Sequence, residues 1–118
     1  MAAKPSPSRS LQAFKAEFFR ALGHPLRIRI LEVLIAGERS VQELQDALDV
    51  EQPIVSQHLA MLRAKNIVTA RKEGTTVRYT IRNPVIADLL VIARRIFDMQ
   101  LGDSQTMLRE LRREGRRR

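Results

Sequence analysis

Between Ser40 and Arg82 the apolar residues change their spacing once, and that change limits the fold more than any other feature of the chain. Val41, Leu44 and Leu48 step by three or four, as do Val55, Leu59 and Leu62, so both sets are stripes of short helices. Val77, Tyr79 and Ile81 then alternate with Arg78, Thr80 and Arg82, the period of a half-buried strand. Ser40-Val41-Gln42-Glu43 has the form of a capping box, with Ser covering free amides and Glu reaching back. Residues 49–52 leave room for a tight turn before Pro53 opens the second helix, expected over 53–65. Asn66 suits the left-handed position that closes such a helix. Ile67 to Lys72 read as a first strand and Glu73-Gly74-Thr75 as a turn, so the two strands make a hairpin.

Helices flank this segment. Leu11, Phe14, Phe18 and Leu22 form one stripe, which Gly23 ends. His24 caps the next helix, Pro25 takes its first position, and Leu26, Ile30, Val33 and Leu34 give it a buried face before Gly37 stops it. Asn83-Pro84 opens a long helix from Val85 to about Gln100, which Gly102 and Asp103 are expected to interrupt. The expected fold is mainly α with a two-stranded β-hairpin, in the order α-α-α-α-β-β-α. That order is a winged helix-turn-helix. The expected division is a flexible basic tail over 1–9, one domain over 10–108 and an Arg-rich tail over 109–118.

Charge narrows the partner. The 118 residues carry 21 Lys and Arg against 13 Asp and Glu, a formal net charge of +8. Such an excess points to a polyanion. It is not evenly spread. Residues 52–82 hold Arg63, Lys65, Arg71, Lys72, Arg78 and Arg82 against Glu73 alone, whereas residues 10–51 hold more acids than bases. With no Cys, the chain has no disulfide, thiolate metal site or Cys nucleophile. His24 and His58 are the only histidines, and neither has a second ligand in view, so no metal site and no cofactor are expected. No Ser-His-acid set or Gly-rich phosphate loop suggests an enzyme. The longest apolar run, Leu89 to Ala93, is far short of a membrane span, and no signal peptide is visible. A cytoplasmic location, with no membrane partner, is the expectation.

In helix 53–65 the core takes Val55, Leu59 and Leu62, leaving Gln52, Pro53, Ser56 and Gln57 exposed at its start. Gln bonds adenine bidentately, and Ser bonds a phosphate or a base edge. The alternative is a solvated face of an ordinary helix. His58 and Arg63 lie on the same helix, His58 suited to a phosphate contact or to a hydrogen bond that supports one. Arg71, Lys72 and Arg78, with Thr75 and Thr76 at the tip, suit a ribbon entering a minor groove. The same cations also keep an edge strand from aggregating. The last helix presents Leu89, Ile92, Ala93, Ile96 and Phe97 over more than one face. With Leu11, Phe14 and Phe18 of the first helix, these residues suit a dimer seam; filling the centre of a monomer is the alternative.

Three segments carry a resemblance to a known family. They are Phe19-Arg20-Ala21-Leu22-Gly23-His24-Pro25-Leu26-Arg27-Ile28-Arg29-Ile30-Leu31, Ser40-Val41-Gln42-Glu43-Leu44, and Gln52-Pro53-Ile54-Val55-Ser56-Gln57-His58-Leu59-Ala60-Met61-Leu62-Arg63. Together they resemble the ArsR/SmtB family of bacterial winged-helix regulators over roughly residues 14 to 98. The resemblance implies a homodimer joined through its first and last helices. It also implies an inverted-repeat operator of double-stranded DNA and repression that an inducer ends. Thiolate-sensing members carry Cys near the positions of Ser40 and Gln42, and zinc-sensing members carry Asp and His on the last helix. Here that helix offers Asp88 and Asp98 and no His, so the chain is similar to a cysteine-free branch. A small apolar molecule at the helical seam, a hard metal, a pH change, or no inducer at all stay open as signals. The expectation is a sequence-specific dimeric repressor; the alternative is an architectural protein that coats DNA non-specifically through its basic tails.

Overall fold

A computed structural model describes residues 7–117. Its elements are α1 (Pro7–Leu22), α2 (Pro25–Ile35), β1 (Arg39–Ser40), α3 (Val41–Leu48), α4 (Gln52–Ala64), β2 (Val68–Glu73), β3 (Thr76–Ile81) and α5 (Pro84–Arg117). They fall into two compact units: the first runs to Pro84, and the second is the helix from Val85 onward.

The first unit closes around Ile30 and Leu31 of α2, Leu44 and Leu48 of α3, Val55, Leu59 and Leu62 of α4, and Ile67 and Val68 at the entry to β2. The apolar spacing of each short helix thus delivers its stripe to one core. The helix ends are set by their own side chains. The His24 Nδ1 accepts the Leu26 amide at 3.1 Å and caps α2. The Ser40 Oγ accepts the Glu43 amide at 3.2 Å, and the Glu43 carboxylate accepts the Ser40 amide at 3.0 Å, completing the capping box. Asp49 (φ 55°) and Asn66 (φ 59°) take left-handed conformations that close α3 and α4.

The sheet corrects the expected two-stranded hairpin. It has three antiparallel strands in the order β1-β3-β2, with Arg39 opposite Tyr79 and Ser40 opposite Arg78. β1 is two residues long, too short to leave a period in the sequence. In the ribbon Glu73 pairs with Thr76, leaving a two-residue turn of Gly74 and Thr75. Gly74 supplies the positive φ (62°) that such a turn needs.

The last helix carries a second correction. It does not break at Gly102 and Asp103 but continues to Arg117, and residues 109–117 are its last turns. A single Gly inside a helix costs only about 1 kcal/mol, which the helix formers on either side offset. The Ser104 and Thr106 hydroxyls donate to the Gln100 and Gly102 carbonyls at 3.1 and 3.0 Å, so their polar groups are satisfied within the helix. α1 likewise begins at Pro7, ahead of the expected Leu11, inside the segment read as a tail; residues 1–6 of that segment lie outside the described residues. α4 begins one residue earlier than expected, at Gln52.

Candidate nucleic-acid interface

Helix α4 leaves the turn at Asp49 with its first residues facing outward. Gln52, Pro53 and Gln57 are exposed, and Ser56 is half-buried. The Gln52 Nε2 donates to the Ser56 Oγ at 3.0 Å, which orients both polar groups along one edge of the helix. Val55 and Leu59 hold the opposite face in the core. Glu51 gives α4 no side-chain cap; Pro53 has no amide hydrogen, and the Ile54 and Val55 amides donate to the Glu51 carbonyl at 3.1 and 3.2 Å.

Further along α4, a cleft of about 450 Å³ opens between the helix and the ribbon. Ser56, Ala60, Arg63 and Ala64 line one wall and Tyr79 the other. The two alanines keep the cleft open, and the Tyr79 phenol brings a donor that the alternation of a half-buried strand does not by itself point to. Strand parity decides which ribbon cations share this side. Lys72 pairs with Val77, which points the same way as Tyr79; Arg71 pairs with Arg78, on the opposite face. Among the described residues, the Arg63 and Lys72 side chains have no hydrogen-bond or ion-pair partner. Thr75 and Thr76 are exposed at the tip, as expected.

Arg71 and Arg78 are engaged. Arg71 Nη2 lies 2.5 Å and Arg78 Nε 2.6 Å from the same Glu38 oxygen. Arg78 Nη2 also reaches Glu43 at 3.1 Å, and Arg71 reaches Glu73 at 3.2 Å. Glu73 is therefore not the only acid near the ribbon: the fold brings Glu38 and Glu43 to it. Burial, the largest single influence on the Glu38 carboxyl, pushes it up. The hydrogen bonds from Arg78 and Arg71 and their charges together outweigh burial and hold it below the usual carboxylate range.

His58 does not face the exposed edge of α4. Its Nδ1 accepts Arg27 Nε at 3.1 Å, and its ring lies 4.3 Å from that of His24. Arg27 also donates to the Ala21 carbonyl at 3.2 Å. Both imidazoles use Nδ1 as an acceptor, His24 from the Leu26 amide and His58 from Arg27. Desolvation, then the charges of His24 and Arg27, push His58 below its ordinary value. The folded state therefore binds fewer protons than the unfolded chain once the pH drops below about 6.5. Stability is unaffected by His58 above that value and falls as the pH drops through it toward the folded pKa. Urea unfolding from about pH 8 to about pH 5.5 should show this fall, with a shallower one in His58→Gln. Equal slopes in the two proteins would remove His58 as the cause.

Among the described residues, no group of three His, Asp or Glu side chains is placed to hold a metal, and no helix is long and apolar enough to cross a membrane. An exposed helix start reached through a tight turn, flanked by a basic ribbon across an open cleft, defines the molecule as a winged helix-turn-helix DNA-binding protein.

Comparison with known proteins carries this further. Residues 24–70 match the bacterial regulatory proteins of the arsR family. The HTH-type transcriptional regulator Rv0081 of Mycobacterium tuberculosis is 43% identical over 109 residues, covering 92% of this chain and 96% of its own. Its crystal structure superposes with a TM-score of 0.74 over 84% of this chain and 97% of its own, at 44% identity. A probable mercury resistance operon repressor of Streptomyces lividans is 40% identical over 79 residues, 67% of this chain and 63% of that protein. The solution structure of a homodimeric winged helix-turn-helix DNA-binding domain from Mycobacterium bovis has a TM-score of 0.76 at 30% identity, covering 86% of this chain and 94% of its own. The chain belongs to the arsR family of bacterial regulatory proteins, and it is a DNA-binding transcriptional regulator.

Proposed function

We propose that the protein is a homodimeric repressor that binds an inverted-repeat operator in double-stranded DNA, in the cytoplasm. Its DNA-binding and dimerisation domain spans residues 10–108, and the basic segments 1–9 and 109–118 tune affinity. The observation that carries this reading is the placement of unpaired cations. Arg63 and Lys72 lie on the side where α4 exposes Gln52, Pro53, Ser56 and Gln57. Base edges are read by the start of α4, and phosphates are held by Arg63, Lys72 and the threonines at the wing tip.

Two copies are needed because one recognition helix and one wing make too few contacts for tight specific binding. The seam is formed by α1 and α5. On α1, Leu11 and Phe14 are exposed, Phe14 at 73%, and Phe18 is half-buried. On α5, Ile92, Ile96 and Phe97 are exposed and Leu89 and Ala93 half-buried. The S. lividans relative is named a repressor and the M. bovis domain is named homodimeric; both support the reading.

Titration of labelled operator and random DNA against salt tests it. Operator is expected to bind as two protomers per site and to be preferred at physiological salt. Arg63→Ala and Lys72→Ala are each expected to lower the log–log salt slope by about 1.8, one phosphate contact per protomer and two per dimer. Equal affinity for operator and random DNA would sink the repressor reading in favour of a non-specific architectural role. An unchanged slope in both variants would move the phosphate contacts elsewhere.

A further inference from the structure

We infer that Glu38 is a positioning residue for DNA recognition: it holds the wing at a set angle to the helix-turn-helix, and operator discrimination depends on that angle. The inference rests on the repressor reading and adds to it a residue that touches no DNA.

The argument begins with a repulsion. Arg71 and Arg78 stand directly opposite each other across β2 and β3, on one face of the ribbon. Like charges in that position destabilise a strand pair. Glu38, in the segment between α2 and β1, places one carboxylate oxygen between them, 2.5 Å from Arg71 and 2.6 Å from Arg78. It turns the repulsion into a bridge.

That bridge spans the join between the ribbon and β1. The ribbon meets β1 through only two residue pairs, Arg39 with Tyr79 and Ser40 with Arg78. Arg78 reinforces the joint from three sides. It bonds Glu38 ahead of β1, it reaches Glu43 in the first turn of α3, and its Nε lies 3.9 Å from Glu73 nearer the tip. The Glu38 and Arg78 side chains are only 29% and 27% exposed, which limits competition from water and salt. Arg71 is 57% exposed and more readily screened. The Glu38–Arg78 pair therefore fixes the root of the wing. The bridge lies on the ribbon face opposite Lys72 and the cleft, so it stays in place when DNA occupies the other side.

A simple charge effect and a positioning effect have opposite signs here. Removing a carboxylate near a DNA-binding surface strengthens binding to any DNA. Releasing the wing weakens binding to the operator alone. The experiment measures affinity for operator and for random DNA of equal length, by fluorescence anisotropy, in the full chain and in Glu38→Ala, Glu38→Gln and Glu38→Asp. Operator affinity is expected to fall about fivefold in Glu38→Ala while random-DNA affinity holds or rises. Glu38→Asp, which keeps the carboxylate, is expected to retain more discrimination than the isosteric Glu38→Gln. Amide exchange in residues 76–81 should speed up in step with the lost discrimination.

Glu38→Ala binding both DNAs more tightly by the same factor would overturn the inference, as would Glu38→Gln matching the unaltered protein. If Glu38→Ala does not fold, the Gln and Asp pair decides alone. Absence of discrimination in the unaltered protein would instead overturn the repressor reading.

Discussion

Phe97→Asp is expected to abolish operator binding while each protomer stays folded. Phe97 is 56% exposed on α5, so in a single chain the substitution removes little packing and costs little stability. In a seam formed with a second copy, the same position is covered. An unpaired carboxylate buried there is opposed by its full desolvation cost, several kcal/mol by the usual scale of buried charges. The seam residues Leu89, Ile92 and Ile96 offer it no cation, and Arg94, three residues before it, is the one basic side chain at the three- or four-residue spacing of helical neighbours. Operator affinity is expected to fall at least about 100-fold, since loss of one such anchor outweighs many rim contacts. Sedimentation should show a monomer with an unchanged circular dichroism spectrum. A variant that stays dimeric and binds operator would place the seam away from α5.

The second large effect is in the core. Leu59→Ala is expected to cost about 2–5 kcal/mol, a large share of the roughly 5–15 kcal/mol by which a domain of this kind is stable. Leu59 is 1% exposed and sits on the inner face of α4, one residue from His58 and three from Ser56. The cavity removes the contact that keeps the outer face of α4 turned to solvent, so operator affinity should fall with stability. Met61→Ala, at a 42% exposed position on the same helix, serves as the comparison and should cost under about 1 kcal/mol. Both are read from urea unfolding at one protein concentration. Equal costs would mean that α4 is not packed through Leu59.

Most of the fold was legible because its signals are local. The stripes of α2, α3 and α4, the capping box at Ser40 and Glu43, the left-handed Asn66 and the turn at Gly74 each fall within a few residues. The His24 cap was visible for the same reason. What escaped notice is non-local or averaged out. β1 is two residues long, and two residues carry no period. Glu38 meets Arg71 and Arg78 across 33 and 40 positions, a distance over which composition says nothing of contact. The ribbon cations looked alike in a charge sum, yet alternation sends Lys72 to one face and Arg71 to the other. For His58 the sequence left a phosphate contact and a supporting hydrogen bond both open, and the partner its Nδ1 takes, Arg27 on α2, is 31 positions away. The Gly102 break failed because one weak helix residue was weighed without the long run of formers around it.

Ser40 has a role that emerges only when three descriptions of it are joined. It ends β1, it caps α3, and it stands opposite Arg78 in the sheet. The register of the wing and the first turn of the helix-turn-helix are therefore counted from the same residue. An inserted or deleted residue between Glu38 and Val41 would shift both counts together, so neither can change there without the other. The Gly74-Thr75 turn obeys no such double count. Length there can drift, and the wing can lengthen or shorten to suit a new groove without disturbing the helices that read it.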